Sequence, residues 1–128
     1  MSRNMVLVDT SVWVNHFREG LPVLQKLLAA GRVMCHPFII GELACGNLKN
    51  RDEILSLLHQ LPMATAAAHE EVMAFIERNH LMGKGLGYVD IHLTASALLT
   101  DVPLWTEDKR LDAVTDMLGV KYHLMPNG

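Results

Sequence analysis

The sequence predicts an α/β protein in which a mainly parallel sheet is covered by helices on both faces. Three observations predict it. Short apolar runs alternate with segments of helical periodicity along the chain, the order produced when crossover helices join parallel strands. The first such run, at residues 5–8, ends directly in Asp9-Thr10-Ser11, residue types that open helices, so a strand passes straight into a helix. Finally, 128 residues, half of them hydrophobic and 20% charged, suffice for one core without disulfide or metal support. One domain spanning residues 1–128 is expected.

The elements follow in order. After the strand at 5–8, a helix carrying Val12, Trp13, Asn15, His16 and Phe17 stops at Gly20. The next opens with Pro22 and ends at Gly31, Pro just inside the start and Gly just past the end. Residues 33–36 read as a second strand, followed by a helix from Pro37 to Gly46 and another opening at Asn50, with Glu53 in capping-box position. Residues 61–65 give a weak third strand, and 66–82 a long amphipathic helix with Val72, Phe75, Ile76 and Asn79 at helical intervals, closed by Gly83. A glycine-rich loop at 83–87 leads into an Ala/Leu-rich helix at 88–100 and a fourth strand at 102–105. Thr106-Glu107-Asp108 caps a helix running to Leu118; Gly119 closes it, and a last strand follows at 120–124 before an uninformative Pro-Asn-Gly tail.

A formal net charge of −3 and a pI near 6.1 argue against affinity based on broad neutralisation of phosphates. They leave metal-dependent chemistry on nucleic acid open, because acids that hold a cation contribute formal charge that the cation offsets. Cys35 and Cys45 form no C-x-x-C pair and have no histidine at zinc-finger spacing, so both read as reduced core thiols. The apolar run near the N-terminus is too short for a signal peptide and no stretch approaches a membrane span. A cytoplasmic protein without membrane contact is expected.

In an open parallel sheet, ligands bind beyond the carboxyl ends of the strands where strand order reverses. Asp9 and the Thr106-Glu107-Asp108 turn occupy such ends, although Asp9, Thr106 and Asp108 each also fit a simple helix cap. Glu42 is the only charge in the otherwise apolar segment 37–46; an exposed helix face is its plain explanation. Asp90 repeats the situation in 88–98, where a place near the helix dipole explains it. Together the four make chemical sense, since Mg²⁺ and Mn²⁺ prefer oxygen ligands. Without a cation, carboxylates forced together raise one another's pKa values, so such a cluster is costly.

Other motifs are incomplete. His69-Glu70-Glu71-Val72-Met73 has Met where a zinc-protease helix needs its second histidine. The 83–87 loop joins two helices and Lys84 is followed by Gly85, so neither the dinucleotide nor the P-loop pattern is met; it reads as a flexible loop beside the cleft. Glu70, Glu71 and Glu77 fit a solvated face, and Asp52 and Glu53 a helix start. Lys49, Arg51, Lys84, Lys109 and Arg110 are the basic residues nearest the expected loops and could contact phosphates. His92, two residues after Asp90, is the histidine closest to the candidate acids in sequence.

The pattern resembles the PIN-domain ribonucleases, and within them the VapC-type toxins of bacterial toxin–antitoxin pairs. Val8-Asp9-Thr10-Ser11-Val12-Trp13, Gly41-Glu42-Leu43, Tyr88-Val89-Asp90-Ile91 and Leu104-Trp105-Thr106-Glu107-Asp108-Lys109-Arg110-Leu111 correspond, in order, to the four family motifs. The resemblance implies a PIN-like three-layer α/β/α sandwich with the first and fourth strands adjacent. It implies Mg²⁺ or Mn²⁺ held by Asp9, Glu42, Asp90 and Asp108, with Thr10 or Ser11 and Thr106 steadying the carboxylates or a bound water. Glu107 stands where the family varies, and Asp112, one turn after Asp108, reads as a surface acid. An RNA substrate, a homodimer and a cognate antitoxin whose C-terminal segment covers the cleft are also implied.

Three alternatives remain at this level. An aspartate-nucleophile phosphatase also begins with a strand ending in Asp, but needs a second Asp where Ser11 stands. A phosphate-receiving signalling domain needs its acceptor on a central mid-chain strand, whereas Asp52 and Glu53 open a helix. A PIN fold that binds RNA without cutting it would not need all four acids.

Overall fold

The computed structural model describes residues 4–124. Three short parallel strands, β1 (Val6–Val8), β2 (Val33–Met34) and β3 (Leu104–Trp105), lie in the order β2-β1-β3. Every strand residue is buried, which is why these segments read as continuous apolar runs without alternation. The outer strands expected at 61–65 and 120–124 are corrected to single parallel bridges, Cys35 with Met63 and Leu104 with Lys121. Pro62 has no N–H to extend the first ladder, and the Thr65 N–H goes to the Thr100 hydroxyl (2.9 Å). The strands expected at 33–36 and 102–105 are likewise two residues long.

Seven helices complete the described residues: α1 (Thr10–Glu19), α2 (Pro22–Ala29), α3 (Pro37–Ala44), α4 (Arg51–His59), α5 (His69–Asn79), α6 (Tyr88–Thr100) and α7 (Lys109–Met117). The seven helices follow the order expected, and the α/β class with a parallel sheet is borne out. None of these helices is long and apolar enough to cross a membrane.

Two boundaries differ for local reasons. The helix expected at 66–82 is α5, three residues shorter at each end. At its start the Glu71 carboxylate accepts the Ala68 N–H (2.7 Å), and at its end His80 adopts a left-handed φ of 52°, so Leu81 turns into the core. The capping box expected at Asn50 and Glu53 is absent: Asn50 is left-handed with φ 53° and its side chain caps nothing. The Pro-Asn-Gly tail lies outside the described residues.

The main core centres on β1, with Leu7, Val8, Val12, Ile39, Leu93 and Leu104 all fully buried. A smaller cluster of Val72, Phe75, Leu81, Ile91 and Val114 joins α5, α6 and α7. Cys35 is buried but Cys45 is exposed at the end of α3, which corrects its reading as a core thiol. Burial pushes the Cys35 thiol up to about 11.

Candidate active site

Because β1 lies between β2 and β3, its carboxyl end is flanked by the carboxyl ends of both neighbours. Asp9 sits there, 5% exposed, its N–H donated to the Trp105 carbonyl (2.9 Å). It holds the position preceding α1, yet its side chain makes no cap bond. The carboxylate is taken instead by two hydroxyls: Ser11 Oγ and Thr106 Oγ1 each donate to Asp9 Oδ2 at 2.8 Å. The simple-cap explanation of Asp9 therefore fails.

Thr106, 7% exposed, also accepts the Asp108 N–H (3.1 Å), and Ser11 Oγ accepts the Glu107 N–H (3.0 Å). The two hydroxyls thus tie the fourth-motif turn to the Asp9 carboxylate. Asp108 does cap α7, its Oδ1 accepting from Arg110 N (2.9 Å) and Leu111 N (3.1 Å). Asp90, in the first turn of α6, accepts the Gly87 N–H on Oδ2 (3.0 Å). Glu42, exposed on α3, is joined to α1 by Thr10 Oγ1 donating to its Oε1 at 2.6 Å.

A shared pattern emerges. Each of the four carboxylates has one oxygen engaged by a donor, while Asp9 Oδ1, Asp108 Oδ2, Asp90 Oδ1 and Glu42 Oε2 have no partner among the described residues. Asp90 feels two of the others: burial, and then the charges of Asp9 and Asp108, push its carboxyl above the usual range against the opposing Gly87 hydrogen bond. Hard oxygens with their second oxygen pinned suit a hard cation. Among the described residues no three His, Cys, Asp or Glu side chains are close enough to hold one ion together.

The raised Asp90 pKa has a consequence for stability. The unfolded chain ionises this group near 3.8, the folded chain at a higher pH, so ionisation costs stability as pH rises through that window. Asp90→Asn, which still offers an oxygen to Gly87, is expected to raise the thermal midpoint in chelator at neutral pH. The gain should vanish in acid, where both side chains are neutral.

The other expected residues are distributed unevenly. Lys84, Lys109 and Arg110 line one cleft of about 470 Å³. Arg51 donates to the Ala44 carbonyl (2.9 Å) and serves the end of α3. Asp112 pairs with Lys121 at 3.0 Å, a surface role. His92 is buried, its ring packed edge-on to Phe38 and Tyr88, and its Nδ1 has no partner among the described residues. Two contributors escape a reading of the sequence. Asn15, one turn beyond Ser11, donates to the Glu107 carboxylate (3.0 Å). His36 caps α3 with its imidazole; a histidine directly before Pro37 is the available signal.

The PIN domain profile matches residues 6–117. Ribonuclease VapC32 of Mycobacterium tuberculosis, in strains CDC 1551 / Oshkosh and ATCC 25618 / H37Rv, is 45% identical over 117 residues, covering 91% of this chain and 94% of the relative. Among solved structures, PAE2754 from Pyrobaculum aerophilum superposes with a TM-score of 0.58 at 16% identity, over 85% of this chain and 78% of that one. At that identity the superposition speaks for the fold alone.

Proposed function

The chain belongs to the PIN-domain family, in its VapC-type branch, and from that premise we propose that it is a Mg²⁺- or Mn²⁺-dependent endoribonuclease acting as the toxin of a toxin–antitoxin pair. The observation that carries the reading is the Asp9 carboxylate, buried at the strand-order reversal and held by Ser11 and Thr106 so that Oδ1 stays available. Asp9 and Asp90 would hold the ion, with Asp108 and Glu42 reaching it directly or through its waters. When bound, such an ion supplies a more acidic water and a counter-charge for the phosphodiester oxygens. The products of attack on phosphorus are a 5′ phosphate and a 3′ hydroxyl.

The chain's own groups do the positioning. Thr106 couples the Asp9 carboxylate to the Asp108 backbone, so the two acids cannot shift independently. Thr10 fixes Glu42 relative to the start of α1. Lys84, Lys109 and Arg110 supply positive charge beside Asp108 for phosphates flanking the cut. Gly85 permits this: its φ is +78°, and a Cβ there would stand 2.8 Å from Arg110 Cδ. Gly85→Ala is expected to cost about 1 kcal/mol of stability and to raise KM for RNA, whereas Arg110→Ala raises KM alone; thermal melts and steady-state kinetics separate the two.

An antitoxin segment has a place to lie. An apolar groove of about 460 Å³ runs past Trp13, Phe17, Leu28, Ile54 and Leu57, and Phe17 and Ile54 also border the cleft that reaches Thr10 and Glu42. For the homodimer, Glu70 and Arg78 stand one turn either side of Ala74 on α5, so antiparallel pairing of two copies sets opposite charges face to face.

The deciding experiment uses protein purified free of any partner. Cleavage of RNA in Mg²⁺, its loss in excess chelator, recovery on adding Mg²⁺ or Mn²⁺, and 5′-phosphate products support the reading. Undiminished cleavage in chelator would overturn it.

A further inference from the structure

A cleft of about 740 Å³ is lined by Thr10 and Glu42 and shares no residue with the one lined by Lys84, Lys109 and Arg110. Thr10, Val14 and Arg18 recur every four residues on α1 and line it together, so one helix face runs from the acids to a cation. Thr10 is bonded to Glu42, which places Arg18 about 12 Å further along the helix from that bond. The opposite wall comes from the loop between α3 and α4, which contributes Asn47, Lys49 and Asn50. That loop is held by Arg51 on the Ala44 carbonyl and by the left-handed Asn50.

Arg18 and Lys49 pair with no carboxylate among the described residues. Both cations line this one cleft, with Glu42 as its acidic member, so an anion entering beside them gains from both charges. Val14 and Phe17, 40% and 36% exposed, give the same cleft an apolar border. A cation pair, side-chain amides and an exposed aromatic ring match a nucleotide: phosphate on the cations, base on the ring.

We propose that this cleft is an RNA subsite in which Arg18 and Lys49 hold a backbone phosphate about two nucleotides from the cut, with an unpaired base against Phe17. The inference rests on the ribonuclease reading and deepens it. The substrate strand then spans from the Lys84–Arg110 cleft across the acids to Arg18, and must be single-stranded there, because a base lying on Phe17 has left its own stack. Phe17 also borders the apolar groove, so a protein segment bound in that groove competes with RNA for the ring.

The test measures binding of a fluorescent single-stranded 8-mer RNA to Asp9→Asn protein in Mg²⁺, with and without Arg18→Ala plus Lys49→Ala, across a salt series. The alanine pair is expected to weaken binding about tenfold and to flatten the log–log salt dependence by about 0.7, the amount due to one phosphate that is no longer neutralised. Arg18→Lys plus Lys49→Arg should restore both. In the cleaving protein the alanine pair should raise KM for the 8-mer but leave a trinucleotide, too short to reach Arg18, unaffected. Unchanged affinity and salt slope would overturn the subsite, as would loss of a protein partner with RNA binding intact. If the parent protein neither binds nor cuts RNA, it is the ribonuclease reading that has failed, and the subsite goes with it.

Discussion

Asp9→Asn is expected to lower RNA cleavage by about three orders of magnitude, equivalent to roughly 4 kcal/mol in the barrier, while the protein stays folded. The amide keeps the shape of the carboxylate and can still accept from Ser11 and Thr106, so packing at the end of β1 survives. What it removes is the negative charge of the one site acid that is almost wholly buried. Thr106→Val should cost less, about 10- to 100-fold, since it frees the carboxylate without discharging it. Thr115→Val is the control: Thr115 is equally buried, but its hydroxyl bonds the Asp112 carbonyl within α7, and activity should not change. Single-turnover cleavage with thermal melts on the three variants checks the ordering. Asp9→Asn retaining activity within fivefold of the parent would remove Asp9 from the chemistry.

The second large effect is on acid stability and centres on His36. The ring is 1% exposed; its Nδ1 accepts the Phe38 N–H at 3.0 Å and its Nε2 faces Ser96 Oγ at 3.1 Å. With Nδ1 accepting, the ring proton is on Nε2, donated to Ser96. A second proton would have to sit on Nδ1 and would destroy the α3 cap. Burial, reinforced by His92, lowers the His36 pKa from 6.5 to about 4. Between those values the unfolded chain binds a proton that the folded chain refuses, so stability is complete above pH 6.5 and falls as pH drops towards 4. The loss is about 3 kcal/mol. Denaturant melts from pH 8 to 4 should show it, and His36→Asn, which can cap without titrating, should flatten the slope over that window. Parallel slopes in the two proteins would assign the acid loss to other groups.

Legibility from sequence followed the range of the interactions. The β1-to-α1 transition at Asp9 was legible because an apolar run abutting capping-type residues is a local signal, and the pairing of β1 with β3 then put Thr106 on Asp9. Strand ends alone already nominated Asp9 and Asp108. Glu42 and Asp90 appeared only as isolated charges in apolar helices, and a resemblance was needed to group them. What the fold adds is local: one oxygen of each is pinned, by Thr10 or by Gly87, and Asp90 feels the charges of Asp9 and Asp108.

The misreadings are of the opposite kind. Residues 66–68 carry helix-forming alanines, yet stay outside α5 because Thr65 and Ala68 give their N–H groups to Thr100 and Glu71. Asn50 and Glu53 have the spacing of a capping box, but the left-handed backbone at Asn50 rules it out. Nothing in the α1 sequence marks Arg18 as a cation that faces a cleft and not open solvent. By itself, then, the sequence determined the order of the helices, the parallel α/β class and the strand-end acids, since periodicity and capping act over a few neighbouring residues. Only the tertiary structure decided that Thr106 holds Asp9, that Thr10 holds Glu42 and that His36 is buried against Ser96, because those depend on groups brought together across 32 to 97 residues of chain.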